Sequence, residues 1–77
     1  MNNTSGRAKE TTAQRLKKAM AIRNLRQTDL VEKTGIPKSA LSQYISGKFL
    51  PKQNRLSTLA EALNVSETWL IGYDVPM

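Results

Sequence analysis

The chain has no cysteine and no histidine among its 77 residues. Disulfide stapling is therefore excluded, as are the usual zinc sites and any nucleophilic chemistry built on a thiolate or an imidazole. Aromatic residues are also scarce, at one Trp, two Tyr and one Phe. That leaves little material for stacking unpaired bases, the usual device of sequence-specific RNA readers. No apolar run approaches the ~20 residues of a membrane-spanning helix, and the opening MNNTSGRAKE lacks the hydrophobic stretch of a signal peptide. The six acids, Glu10, Asp29, Glu32, Glu61, Glu67 and Asp74, are scattered singly, so no carboxylate pair is set up for general acid–base work. These absences point to a protein that is not an enzyme and needs no metal or cofactor. The lack of cysteine fits a cytoplasmic setting. A domain of about 60 residues buries only about 60 % of the surface its unfolded chain exposes, so helix packing has to supply nearly all the stability.

What the chain does have is positive charge, unevenly placed. All twelve Lys and Arg lie within residues 1–55, beside only Glu10, Asp29 and Glu32; residues 56–77 hold three acids and no base. Such a split suggests one basic face, the electrostatic footprint of a phosphate-binding protein. A solvated surface of uneven charge is the competing reading, and charge alone does not choose between them.

Residues 1–10 are polar without apolar periodicity and read as a flexible arm, in which Arg7 and Lys9 could wrap a duplex. Thr11 offers an N-cap, with Gln14 completing a capping box, and Ala13, Leu16 and Met20 follow at helical spacing, predicting a first helix over 12–24. After a break at Asn24–Arg26, a second helix is expected over 27–34. Leu25 and Leu30 have the spacing of a hydrophobic staple, and Asp29 sits where the helix dipole favours a negative charge. Arg26 is a poor cap, so packing is expected to hold this start. Gly35 supplies the left-handed residue after the helix, and Pro37 can open a third helix over 37–46, stopped at Gly47. Pro51 interrupts GKFLPKQN, which reads as a basic loop. Leu56, Leu59, Ala60 and Leu63 mark a fourth helix at i, i+3, i+4, i+7. A fifth begins at Ser66 as cap, with Val65 and Leu70 as its staple, and ends before Gly72. No segment has strand periodicity and no repeat is present. The expectation is an all-α domain of five helices.

The spacing Gln27–Gly35–Tyr44 is that of two short helices joined by a tight turn, a helix-turn-helix. Leu30, Val31, Ile36, Leu41 and Ile45 would lock the pair at a steep angle, leaving Lys38, Ser39, Ala40, Ser42 and Gln43 on the outer side. These groups suit the major groove: Gln pairs bidentately with adenine, Lys reaches guanine, Ser serves either way and Ala touches a thymine methyl. An ordinary polar helix face is the bland alternative, and the glycine turn and basic flank weigh against it.

NLRQTDLVEKTGIPKSALSQYISGKFLP resembles the DNA-binding unit of the Cro/CI-type (XRE) helix-turn-helix family, typified by temperate-phage repressors. The resemblance covers about residues 12–72, and its most specific elements are the Gln27 start, the Gly35-Ile36 turn, Gly47-Lys48 and LAEALNVSETWL at 59–70. It implies a lambda-repressor-like fold and a sequence-specific, double-stranded-DNA-binding transcriptional regulator, in which the helix over 37–46 enters the major groove and Lys38, Ser39, Ala40, Ser42 and Gln43 face bases. Gln27 would meet a phosphate through its backbone and brace the recognition helix with its side chain. Tyr44, Lys48, Lys52, Arg15 and Arg23 are the further phosphate candidates. The resemblance also implies a homodimer on palindromic half-sites, with Leu70, Ile71 and Tyr73 as candidates for self-association, and 73–77 as the start of a linker to a further domain. In many family members an Arg late in the first helix pairs with a Glu near the end of the third. Met20 and Ile45 stand there in this chain, and are expected to meet as an apolar replacement. Trp69, among apolar neighbours, is expected in the core. A helical protein-interaction or antitoxin-like module, engaging a regulatory protein partner, is the alternative this fold leaves open.

Overall fold

Thr11 starts the first helix as its spacing with Gln14 requires. In the computed structural model, which describes residues 10–77, the Gln14 N–H donates to Thr11 Oγ1 at 3.1 Å and the Thr11 N–H donates to the side-chain Oε1 of Gln14 at 2.9 Å. This is a complete capping box, satisfying two N–H groups that the helix cannot. Five helices follow in order: α1 Thr12–Arg23, α2 Gln27–Thr34, α3 Lys38–Ser46, α4 Gln53–Leu63 and α5 Glu67–Leu70. The described residues contain no β-strand, and none of their helices is long and apolar enough to cross a membrane. The all-α, five-helix expectation holds.

The helix ends follow local chemistry. α1 and α4 stop at Asn24 and Asn64, both left-handed (φ 58° and 57°), while α2 and α3 stop at Gly35 and Gly47 (φ 74° and 85°). The start of α2 corrects the expectation that packing holds it more than capping does. Asp29 reaches back, its carboxylate accepting from the Arg26 N–H at 2.7 Å, so the acid three residues on does the capping that Arg26 cannot. Pro37 immediately precedes α3 instead of forming its first residue. α4 begins at Gln53 and takes Gln53 and Asn54 out of the expected loop. Ser66 caps α5, its hydroxyl accepting from the Trp69 N–H at 3.0 Å.

Each helix contributes at least one fully buried leucine: Leu16, Leu30, Leu41, Leu59, Leu63 and Leu70. Burying each stabilises by roughly 1.5–3 kcal/mol. Ile36, Leu56 and Trp69 complete the centre, and Met20, Val31 and Ile45 pack half-buried against it. Leu30, Ile36 and Leu41 therefore do lock the α2–α3 pair, with α1 and α4 as its support. Glu10, expected within the polar arm, is instead tied to α1, its carboxylate accepting from Lys18 at 3.0 Å and also from Arg15. The rest of the arm, with Arg7 and Lys9, lies outside the described residues. At the other end the chain folds back, with the Ser66 N–H donating to the Met77 carbonyl and Ser66 Oγ to that of Pro76.

Candidate nucleic-acid interface

α3 spends very little of itself on the core. Leu41 is its one buried residue, while Lys38, Ser39 and Ser42 are exposed and Ala40, Gln43 and Tyr44 are half-buried. Of the set that spacing placed on the outer side, Lys38, Ser39 and Ser42 face outward, whereas Gln43 is half-buried and Ala40 packs against the core; Leu41, with no exposed surface, anchors the helix from behind. Short side chains at Ser39, Ala40 and Ser42 leave this face low, so another surface can approach the backbone closely.

Gln27 fixes α3 to α2. Its side-chain amide donates to Ser42 Oγ at 2.6 Å and lies 3.4 Å from the Lys38 carbonyl oxygen, tying the start of α2 to two points along α3. This is the bracing expected of Gln27. It also gives Ser42 a fixed acceptor role, which leaves the hydroxyl proton free to point outward.

Beside this face, a groove of about 500 Å³ is lined by polar and basic residues, Gln43, Tyr44, Lys52, Asn54 and Arg55, and by apolar Ala40, Phe49 and Leu50. Lys48 and Lys52 are both exposed, and Lys48 Nζ stands 6.0 Å from the centre of the Phe49 ring. The end of α3, the following loop and the start of α4 thereby form one cationic surface. Arg55 and Asn54 were not singled out from sequence. Arg55 sits next to Leu56 on α4 and lines the groove, donating across it to Tyr44 Oη on α3 at 3.0 Å. No local pattern announces such a pair.

Of the expected phosphate contacts, Arg15 is corrected, and Arg23, although exposed, is tied to the end of α4. Arg15 is buried, with 6 % of its surface exposed. Its Nη1 and Nη2 donate to the Trp69 and Gly72 carbonyls at 2.9 and 3.2 Å, its Nε faces Glu10, and its guanidinium stacks 4.6 Å from the Trp69 ring centre. It is a structural arginine that closes α1 onto α5. Arg23 donates to the carbonyls of Leu63 and Asn64, each at 2.9 Å, so it finishes the C-terminus of α4, where the dipole favours a cation. Among the self-association candidates, Leu70 is fully buried and unavailable, Tyr73 is half-buried and Ile71 is exposed. Trp69 lies in the core as expected.

The charge of Glu10 is stabilised by its partners. Hydrogen bonds from Lys18 and then Arg15 hold its carboxyl below the ordinary 4.5, against a smaller opposing cost of burial. Among the described residues, no group of Asp and Glu could hold a metal ion.

Known proteins share this arrangement. The chain is 41 % identical over 61 residues to the HTH-type transcriptional regulator PrtR of Pseudomonas aeruginosa, a match that takes in 79 % of this chain and 23 % of that protein. The chain thus spans about a quarter of the length of that relative. The fold is that of the P22 c2 repressor, whose crystal structure is of a complex with the synthetic operator 9T in the presence of Tl+. The TM-score is 0.74 at 24 % identity, covering 80 % of this chain and 94 % of that one. Residues 13–73 match the family described as helix-turn-helix domain. With that match over most of its length, and with α2 and α3 forming the braced pair, the chain belongs to the Cro/CI-type (XRE) helix-turn-helix family.

Proposed function

We propose that this chain is the sequence-reading part of a phage-type repressor, with α3 lying in the major groove of double-stranded DNA. The observation that carries the reading is the outward face of α3: Lys38, Ser39 and Ser42 exposed, Gln43 half-buried in the lining of the neighbouring groove, and Leu41 fully buried behind them. In this reading Lys38, Ser39, Ala40, Ser42 and Gln43 meet base edges. Gln27, Tyr44, Lys48 and Lys52 meet phosphates, which set position and affinity without carrying sequence. The P22 c2 repressor was crystallised on an operator, and the shared fold supports the same mode of docking here. Two copies would bind half-sites about one helical turn apart, roughly 34 Å, with Ile71 and Tyr73 near their contact. A location on cytoplasmic DNA follows from the role.

Selection of duplexes from a random pool tests the reading. A single recurrent site is expected, bound with a steep salt dependence. Against that site, Gln43→Ala should relax preference at one base position by about 1–3 kcal/mol, whereas Lys48→Ala should weaken all duplexes alike and reduce the salt slope by about one. Uniform weakening by both variants would remove Gln43 from the base readers.

A further inference from the structure

The four arginines of the described residues differ in what holds them. Arg15 has a carboxylate and two carbonyls, Arg23 has two carbonyls, and Arg26 stands 3.8 Å from the Asp29 carboxylate. Arg55 has neither. Its Nη1 donates to the phenol oxygen of Tyr44 at 3.0 Å, a partner that orients the guanidinium without neutralising it. Both side chains are half-buried, so the charge is partly withdrawn from water and still uncompensated. The groove they share is lined by no acid, and its other cation, Lys52, makes no ion pair among the described residues either.

The donor inventory says what would fit. With Nη1 on Tyr44, the Nε and Nη2 side of Arg55 keeps the planar fork that matches two oxygens of a phosphodiester. Tyr44, by accepting from Arg55, keeps its own O–H for donation. The two groups can close on a single anion, one through a charge-assisted fork and the other through a phenol. Gln43 and Ala40 of α3 line the same groove, so the anion would lie directly beside the outward face of that helix.

We propose that Tyr44 and Arg55 act together as a clamp on one backbone phosphate of the duplex that α3 reads, extending the contact surface from α3 onto α4. The clamp rests on the DNA-binding reading above and adds Arg55 to it, with Tyr44 serving as its positioning partner as well as a donor.

The test uses the whole chain and two labelled duplexes, one selected by the wild type and one a scramble of the same composition. Arg55→Gln should weaken both alike and lower the slope of log affinity against log salt by about 0.9. Between about 50 and 200 mM salt the wild type should thus lose about 3.5-fold more affinity than the variant. Tyr44→Phe should give a smaller loss in the same direction, and the double variant should match Arg55→Gln within about twofold, as expected of groups acting as a unit. Arg55→Lys should restore the slope without the full affinity, because an ammonium lacks the fork. It also serves as the readout should Arg55→Gln melt early. An unchanged slope in Arg55→Gln, or losses from the two positions that simply multiply, would overturn the clamp. If Lys48→Ala flattens the slope while Arg55→Gln does not, the clamp fails and the DNA reading stands. A wild type that shows neither salt dependence nor preference for any duplex would bring down both.

Discussion

Replacing Arg15 by Met separates folding from DNA contact. Met keeps an aliphatic stem of similar length against Trp69 and deletes the guanidinium, with its bonds to the Trp69 and Gly72 carbonyls at 2.9 and 3.2 Å and its stacking at 4.6 Å. Hydrogen bonds from a charged donor are worth about 1.5–3 kcal/mol each, and a cation over an indole adds about 0.5–2 kcal/mol. These gains share one group and do not add freely. The net loss should therefore be about 3 kcal/mol, the lower end of what breaking a buried charge pair costs. At about 4–8 °C per kcal/mol for a domain of this size, the melting temperature falls by about 12–24 °C. Trp69 is the one tryptophan in the chain, so its fluorescence reports the transition directly, with circular dichroism as a second probe. Below the new melting temperature, the salt slope of duplex binding should match the wild type, since Arg15 faces carbonyls and not solvent. A loss under about 1 kcal/mol together with a slope shallower by about one would mean that Arg15 faces a phosphate after all, and that its burial against α5 is wrong.

Other consequences are as direct. Because Glu10 titrates below its ordinary 4.5 in the folded chain, its stabilisation is complete above that value and is lost as the pH falls through the folded one. Glu10→Gln should thus be less stable at neutral pH and show a shallower acid decline; identical acid profiles in urea titrations would reject the tie to Lys18 and Arg15. Gly35 has φ +74° with nothing within 4 Å of an added Cβ, so Gly35→Ala should cost only the left-handed backbone penalty, about 1–2 kcal/mol. A loss above about 3 kcal/mol would reveal a steric demand that the turn does not show. Gln27→Ala removes an exposed bond and should shift stability by about 1 kcal/mol or less. It should also weaken duplex binding about tenfold, equivalent to ~1.4 kcal/mol, by loosening α3. Equal affinities would make the brace to Ser42 irrelevant to binding.

The elements were legible because their signals are local. Thr11 and Gln14, Gly35, Gly47, Ser66 and the Leu56–Leu59–Ala60–Leu63 stripe each act within one or two turns, and each stands where its spacing placed it. The outward face of α3 was legible for the same reason, since burying Leu41 decides which residues point away from the core. What escaped was long-range. Arg15 finds its acceptors 54 and 57 residues along the chain, and Arg23 finds its own 40 and 41 residues on. No helical periodicity marks an arginine as a tie between helices. The Asp29 cap is subtler: an acid in the first turn suits the helix dipole, and the same side chain also reaches the Arg26 N–H.

These misses share a physical lesson about charge. A sequence count weighs every base equally, and by that count α1 is among the most cationic parts of the chain. In the folded molecule Arg15 is neutralised by Glu10 and Lys18 is drawn to the same carboxylate, so α1 contributes less to the outward field than its composition suggests. Lys48, Lys52 and Arg55 lie in none of the ion pairs of the described residues, and they follow the outward face of α3 in the chain. An uncompensated charge acts at range whereas a paired one largely cancels, so in the proposed reading these residues, together with Lys38, supply the attraction for a polyanion beside α3. The charge that borders α3 is therefore set by which bases are left without an acid, and not by the composition of the chain alone.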